Sequence, residues 1–196
     1  MFGTENSTLI FILTASYLLG SVPTAVLVCR AMGLSDPRQQ GSGNPGATNV
    51  LRVGNRPAAA MTLLGDLLKG ALAITLARWF DLNLLQQGYC GLAALGGHIF
   101  SIFLRFQGGK GVATLLGISL MLNQVLGLVQ CCIWISLILI RKISSLAAIG
   151  MALISPIICW FLEPGLIIPM TIMSFTVVAT HHRNIRNLFQ GSESRL

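Results

Sequence analysis

The sequence predicts an all-α integral membrane protein with seven transmembrane helices, its N-terminus outside and its C-terminus in the cytoplasm. Three observations lead there. Hydrophobic residues make up 54% of the 196-residue chain and charged residues only 10%, against roughly 25% charged in an ordinary soluble domain. Mean hydropathy is +0.75. The apolar residues fall into runs long enough to cross a bilayer, with Lys and Arg gathered in the connections between alternate runs. Thirteen Lys and Arg with six Asp and Glu cannot cover the surface of a soluble domain of this length. Soluble enzymes, coiled coils and disordered tails are thereby excluded. The length fits a single domain, 1–196. The formal net charge of +7 reads as the basic loops of a membrane protein, with no nucleic acid as partner.

A helix rises 1.5 Å per residue, so ~20 apolar residues cross a hydrocarbon core of ~30 Å. The uncharged run 6–29 supplies the first span, 7–29. Nothing basic precedes it and it is too long for a signal-peptide core, so it is read as a span rather than a cleaved leader. The second span, 57–78, is interrupted by Asp66 and Lys69. They stand at i and i+3, where an ion pair on one helix face is the simplest account of charge inside a span. The third span is 83–104 and carries His98 near its end. That histidine either packs or faces the 108–114 loop. The run 111–140 would be roughly 45 Å long as one helix, too long for a single crossing. Asn123-Gln124 is its natural break, giving short spans at 111–122 and 125–140. Spans at 144–162 and 166–181 complete the set.

Loop charge supports that division. Arg30, Arg38, Arg52 and Arg56 lie in one connection, Arg105 and Lys110 in the next, Arg141 and Lys142 in a third, and Arg183, Arg186 and Arg195 in the tail. Seven crossings put all four basic segments on one side, which the positive-inside rule makes the cytoplasm. Six crossings would export either the Arg141-Lys142 turn or the tail. The cysteines Cys29, Cys90, Cys131, Cys132 and Cys159 show no ligand spacing and read as small apolar packing residues. The two halves of the chain do not repeat one another.

Three stretches are too rich in polar donors to be ordinary connections, and all three fall on the cytoplasmic side. The first is Gly41-Ser42-Gly43-Asn44-Pro45-Gly46-Ala47-Thr48-Asn49-Val50-Leu51-Arg52. Its glycines can bring bare N–H groups close to a ligand. Asn44 followed by Pro45 predicts an N-cap with proline at the first helical position, and a helix N-terminus beside Ser42, Thr48 and Arg52 suits an anion. The second is Gly108-Gly109-Lys110-Gly111-Val112-Ala113-Thr114, running into an apolar helix. It combines flexible glycines, a cation and a hydroxyl, but it is no P-loop: Leu104 stands where the first glycine belongs and Gly111 where Ser or Thr should be. The third is His181-His182-Arg183-Asn184-Ile185-Arg186-Asn187-Leu188, where the last span ends. On a helix His181, Asn184, Ile185 and Leu188 share a face, while His182 points elsewhere and suits a helix C-terminal cap.

What is missing narrows the chemistry. The acidic residues are scattered, so two-metal catalysis has no clustered carboxylates and no metal is expected. No G-x-S-x-G elbow appears, which disfavours a serine hydrolase. The stretches are built to hold anions, and no cofactor is called for. A transporter of a phosphorylated metabolite is the alternative, because half-helix N-termini also bind anions there. Against it stand the missing repeat and the crowding of every polar motif on one face.

Ser42-Gly43-Asn44-Pro45-Gly46-Ala47-Thr48-Asn49-Val50-Leu51-Arg52, Gly97-His98 through Phe106-Gln107-Gly108-Gly109-Lys110-Gly111-Val112-Ala113-Thr114, and His182-Arg183-Asn184-Ile185 through Gly191-Ser192-Glu193 resemble the three motifs of the bacterial acyl-phosphate-dependent glycerol-3-phosphate acyltransferases. With Tyr17–Pro23 the resemblance spans essentially the whole chain. It implies a seven-helix enzyme of the bacterial inner membrane, its active site facing the cytoplasm. That enzyme transfers a fatty acyl group from acyl phosphate to the sn-1 hydroxyl of glycerol 3-phosphate, giving lysophosphatidic acid and phosphate. By motif position Ser42 and Arg52 look like its essential pair, and Gly108, Gly109, Lys110 and Gly111 like its phosphate-binding element. His181 and Asn184 look like its third-motif polar pair, and Glu193 is similar to a glutamate that matters for integrity. Ser101 and Asn187 depart from the pattern, where proline and arginine are expected.

Read against that chemistry, Ser42, Arg52, Lys110, His181 and Asn184 are the candidate catalytic residues. Gly43, Asn44, Gly46, Thr48, Asn49, Gly108, Gly109, Gly111 and Thr114 are the candidate phosphate binders. His98, Asp66, Lys69 and Glu193 are structural or unassigned. Phosphate is a good leaving group, so no enzyme nucleophile is required. Binding two anionic head groups and orienting the hydroxyl would do most of the work. His181 is a candidate general base; the substrate's own phosphate is the other.

Overall fold

The computed structural model describes residues 2–196, and among them every regular element is helical. The helices are α1 (Phe2–Ser21), α2 (Thr24–Ala31), α3 (Ala47–Val53), α4 (Arg56–Trp79), α5 (Leu84–Ile99), α6 (Val112–Leu122), α7 (Gln124–Arg141), α8 (Ser144–Leu162), α9 (Ile167–Thr180) and α10 (His182–Phe189). Of these, α4, α5 with the turn that follows it, α7 and α8 are long and apolar enough to cross a bilayer. The bent pairs, α1 with α2 and α9 with α10, raise the number to six. α6 has 11 residues and is about 16 Å long.

Local chemistry sets many of the boundaries. The Asn55 side chain accepts from the Ala58 amide at 2.8 Å, with a proline in the first turn of α4. Asn83 and Gln86 exchange side-chain and backbone hydrogen bonds of 3.0 and 2.9 Å, a reciprocal cap on α5. The break expected at Asn123-Gln124 is real: α6 ends there, and the Asn123 side chain accepts from the Leu126 amide at 3.0 Å to start α7.

α6 is apolar all round and enclosed, with Leu115 and Ile118 fully buried among Ile74, Leu95, Met151, Met170 and Met173. Small residues let it approach α4. Gly70 lies against the Thr114 carbonyl and Gly117 against the Leu67 carbonyl, where any side chain would collide. α1 and α5 cross in the same way, Gly20 on Ala94 and Gly97 on Tyr17.

Two expected spans are not continuous helices. The run 7–29 breaks at Val22-Pro23, where the chain bends by 42° between α1 and α2. Proline has no N–H to donate and its ring obstructs the preceding turn. Carbonyls around the break are met by distant side chains: Lys69 Nζ donates to Val22 O at 3.1 Å and Ser101 Oγ to Ser21 O at 2.6 Å. The run 83–104 ends as an α-helix at Ile99 and continues as a turn with a single 3₁₀ segment, Ile102–Leu104. There Tyr17 donates its hydroxyl hydrogen to Phe100 O at 2.7 Å. Ser101, where the family resemblance led us to expect proline, is therefore a buried tie between α1 and the end of α5.

The expected i, i+3 pair is present: Lys69 Nζ lies 2.9 Å from Asp66 Oδ1, both side chains buried. Lys69 thus serves two acceptors at once. Removing it strips a buried carboxylate of its ammonium partner and takes one donor from the Val22 carbonyl, which keeps the Thr24 amide. Lys69→Ala should cost about 3–5 kcal/mol, the usual penalty for breaking a buried pair. Thermal unfolding in detergent should show a markedly lower midpoint, with Lys69→Arg closer to wild type. A midpoint for Lys69→Ala equal to wild type would contradict this account.

Candidate active site

The three polar stretches meet around one cavity of about 270 Å³. Ser42, Asn44, Gly46, Thr48, Asn49 and Arg52 line it from the first stretch, Lys110 and Gly111 from the second, and His181, Asn184 and Glu193 from the third. Its remaining wall is largely apolar and comes from the interiors of α4, α6, α7 and α8, with Leu63, Leu67, Leu116, Trp134 and Ile135 among the lining residues. One space therefore offers cations and hydroxyls beside a hydrocarbon-like wall.

The first stretch differs from expectation in its helix. α3 starts at Ala47 with Gly46, not Asn44, as its extended N-cap. Asn44 O instead accepts from the Gly46 amide at 2.9 Å, a tight turn that holds Pro45 outside the helix. Asn49 is 1% exposed and its amide serves its own loop. Nδ2 donates to Pro37 O at 2.7 Å and Gln40 O at 3.0 Å, and Oδ1 accepts from the Ser42 amide at 2.9 Å. Those three bonds set where Ser42 stands. Thr48 and Ser144 share a hydroxyl hydrogen bond of 3.0 Å, tying α3 to the start of α8. Arg52, at the end of α3, donates through Nη2 to Ser194 O at 3.2 Å.

The second stretch is a turn folded back onto the end of α5. Gly108 and Gly109 donate their amides to Ile99 O and His98 O at 2.9 and 3.1 Å. Gly111 has φ +88°, a conformation that glycine adopts without strain, and it caps α6. The first-turn amides of α6 have no carbonyl behind them within the helix, and Val112 and Ala113 line the cavity there. Thr114 does not: its hydroxyl donates to Asp66 O at 3.0 Å and joins α6 to α4. Gly43, Gly108 and Gly109 shape the loops without lining the cavity.

The third stretch bends by 58° between α9 and α10, with His181 at the bend. His181 is 3% exposed. Its Nδ1 is 2.7 Å from Val177 O. A carbonyl only accepts, so Nδ1 carries the hydrogen and Nε2 is the basic nitrogen. His182 is exposed and its Nδ1 lies 3.1 Å from Ala179 O, the expected helix-end contact. Asn184 accepts from Lys110 Nζ through Oδ1 and donates through Nδ2 to Glu193 Oε1 at 2.6 Å. Glu193 also accepts from Ser145 Oγ at 2.7 Å and Asn187 Nδ2 at 3.2 Å. Asn187, in place of an expected arginine, is thus a tail anchor. Thr180 holds the second stretch from the other side, donating to Lys110 O at 3.1 Å.

Burial lowers the Lys110 ammonium below the ordinary lysine value of 10.5; the Glu193 carboxylate opposes this, and Arg52 and Arg183 add to it. Burial disfavours the Glu193 anion, but hydrogen bonds from Ser145, Asn184 and Asn187, with the Lys110 charge, outweigh it and hold the carboxyl below its ordinary 4.5. Ser144 and Ser145 escaped the sequence reading, because two serines after Arg141-Lys142 look like a helix start. Their only signal was that this turn shares a side with the three polar stretches.

The profile of the glycerol-3-phosphate acyltransferase family matches residues 10–191. A glycerol-3-phosphate acyltransferase of Laribacter hongkongensis is 49% identical over 189 residues, 94% of each chain. One of Shewanella oneidensis is 45% identical over 192 residues, 98% of this chain and 95% of that one. The crystal structure of PlsY, an integral membrane glycerol 3-phosphate acyltransferase in its glycerol 3-phosphate form, superposes with a TM-score of 0.90 at 29% identity, covering 96% of each chain. Its lysophosphatidic acid form gives 0.89 at 28%, covering 96% of this chain and 95% of that one. The chain belongs to the glycerol-3-phosphate acyltransferase family and is a multi-pass membrane protein.

Because the folded Glu193 pKa is depressed, its contribution to holding the tail is complete above about pH 4.5 and is lost as pH falls through the lower folded value. The Ser192 and Leu196 amides donate to Asn187 O and Lys142 O, and their protection against hydrogen exchange, relative to the intrinsic rate, should fall in that window. Glu193→Gln should show the faster exchange at neutral pH. Equal protection in the variant would remove Glu193 from this role.

Proposed function

We propose that the chain transfers a fatty acyl group from acyl phosphate to the sn-1 hydroxyl of glycerol 3-phosphate, at a site on the cytoplasmic face of a bacterial inner membrane. As a member of its family the chain is an acyltransferase that converts glycerol 3-phosphate to lysophosphatidic acid. The donor, the residue roles, the single domain and the seven-span topology are our reading. One observation carries it: a single cavity joins three polar stretches to an apolar wall. That matches two phosphorylated substrates of which one carries an acyl chain. In this topology α6 is the short fourth span. Its shortness lets a site at its N-terminus sit within reach of both cytoplasm and bilayer.

The reaction breaks the acyl carbon–oxygen bond to phosphate and forms one to the glycerol oxygen, whose proton must leave. Arg52, Lys110 and the amides at the start of α6 hold phosphoryl oxygens and balance developing negative charge. Ser42, Thr48 and Asn184 orient the substrates, while the apolar wall takes the acyl chain. Asn49 holds the loop that presents Ser42, and Thr114 joins the helix carrying the turn to its neighbour. His181 Nε2 is a base for the glycerol hydroxyl proton; the phosphate of the substrate is the other acceptor. Neither route needs an enzyme nucleophile, because phosphate departs readily from the mixed anhydride.

Purified protein in detergent should form lysophosphatidic acid and phosphate from glycerol 3-phosphate with palmitoyl phosphate, and Lys110→Ala should abolish this. Product from palmitoyl-CoA alone would overturn the donor. His181→Ala should lose about 10²–10⁴-fold in turnover if Nε2 is the base; near-full turnover would give the proton to the substrate phosphate. Lys110 must be charged to hold phosphate, and its pKa lies below 10.5. Activity should therefore fall as pH rises through that lowered value, and Lys110→Arg should move the fall to higher pH.

A further inference from the structure

We propose that His98 is a positioning residue for acyl transfer: held beside the Asp66–Lys69 ion pair, its imidazole is the bed on which the Gly108-Gly109-Lys110-Gly111 turn is laid. The inference rests on the acyltransferase reading and deepens it. His98 and Asp66 line the cavity, 5% and 3% exposed, yet neither belongs to the three polar stretches that carry the proposed chemistry.

The turn meets His98 twice. Its main chain is tied there, the Gly109 amide donating to His98 O at 3.1 Å. The Gly109 α-carbon also lies against the ring: a Cβ built on it would have Nε2, Cε1 and Cδ2 of His98 as its three nearest neighbours. Glycine is required here by the imidazole. On the opposite edge Nδ1 faces Asp66 Oδ1 at 3.6 Å, beyond hydrogen-bond distance, and is buried with no hydrogen-bond partner among the described residues. Asp66 in turn holds Lys69, and Lys69 reaches Val22 O at the break between α1 and α2. The Thr114 hydroxyl fixes the Asp66 backbone from α6. A chain of contacts thus runs from that break through α4 and α5 to the turn that presents Lys110.

Burying three ionisable groups together is expensive. A phenyl ring would fill the same space with less penalty, but it would present no polar edge toward Asp66. The buried ring beneath Gly109 and the amide bond from Gly109 to His98 O together set the height of the turn. That matters for rate, because a displacement of about 1 Å at a reacting group can cost about 10²-fold.

The test is a double-mutant cycle in detergent, read by unfolding midpoint and by kcat and KM with palmitoyl phosphate and glycerol 3-phosphate. His98→Asn keeps an amide beside Asp66 but ends short of the ring edge beneath Gly109. It should keep a midpoint near wild type and lose about tenfold or more in kcat. Gly109→Ala should lower both midpoint and kcat in the wild-type background. In the His98→Asn background the added methyl enters vacated space, so the double variant should be more stable and more active than Gly109→Ala alone. In His98→Gln, whose amide reaches the far edge of the ring, Gly109→Ala should remain as damaging as in wild type. Wild-type kcat and KM in His98→Asn, or a Gly109→Ala penalty in midpoint that is equal in the wild-type and His98→Asn backgrounds, would overturn the proposal. A wild-type protein inactive with every donor would instead count against the acyltransferase reading, while the thermal cycle still decides the His98–Gly109 contact.

Discussion

A multi-pass membrane chain has to satisfy its backbone polar groups internally, and at Val22-Pro23 this one breaks an apolar helix. Much of the structure follows from how the break is repaired. Lys69 and Ser101 donate to the carbonyls of Val22 and Ser21, and Tyr17 caps Phe100 from the same helix. These bonds join α1, α4 and the end of α5. Gly20 and Gly97 then let α1 and α5 touch along their backbones. The end of α5 is thereby fixed, and the glycine turn is hydrogen-bonded directly to it.

The same economy shapes the cavity. Its cations are held by weak or neutral partners: Arg52 by a tail carbonyl, Lys110 by an amide oxygen. Glu193 is near enough to influence Lys110 but is itself engaged by Ser145, Asn184 and Asn187. Exchanging a carbonyl or an amide for phosphoryl oxygens is favourable for a guanidinium or an ammonium. Cations locked in tight ion pairs would resist that exchange. Meanwhile the wall from α4, α6, α7 and α8 stays apolar, and the low local dielectric it creates strengthens any charge–phosphate contact made there.

Much of this was legible along the chain. The break expected at Asn123-Gln124 is real and Asn123 caps α7, while Asn55 and Asn83 cap α4 and α5 close to the span starts that hydropathy predicted. The i, i+3 spacing of Asp66 and Lys69 announces their ion pair. Legibility failed where a residue's partner lies far away in sequence. Thr114 looked like a phosphate ligand and donates to α4. Asn49 looked like another and holds its own loop. Ser145 gave no sign that it meets a glutamate 48 residues later.

By itself, then, the sequence determined the helical membrane class, most helix starts and where the three polar stretches lie along the chain. Periodicity, capping and loop charge act between near neighbours, so they can be read from a string of residues. Tertiary structure alone decided which donors from those stretches line one cavity, which turn away into packing, and that His98 lies beneath the glycine turn. Those outcomes depend on how closely α6 can approach α4 and how α5 ends against α1. Such distances are set by small residues and capped carbonyls from remote parts of the chain, and no local pattern encodes them.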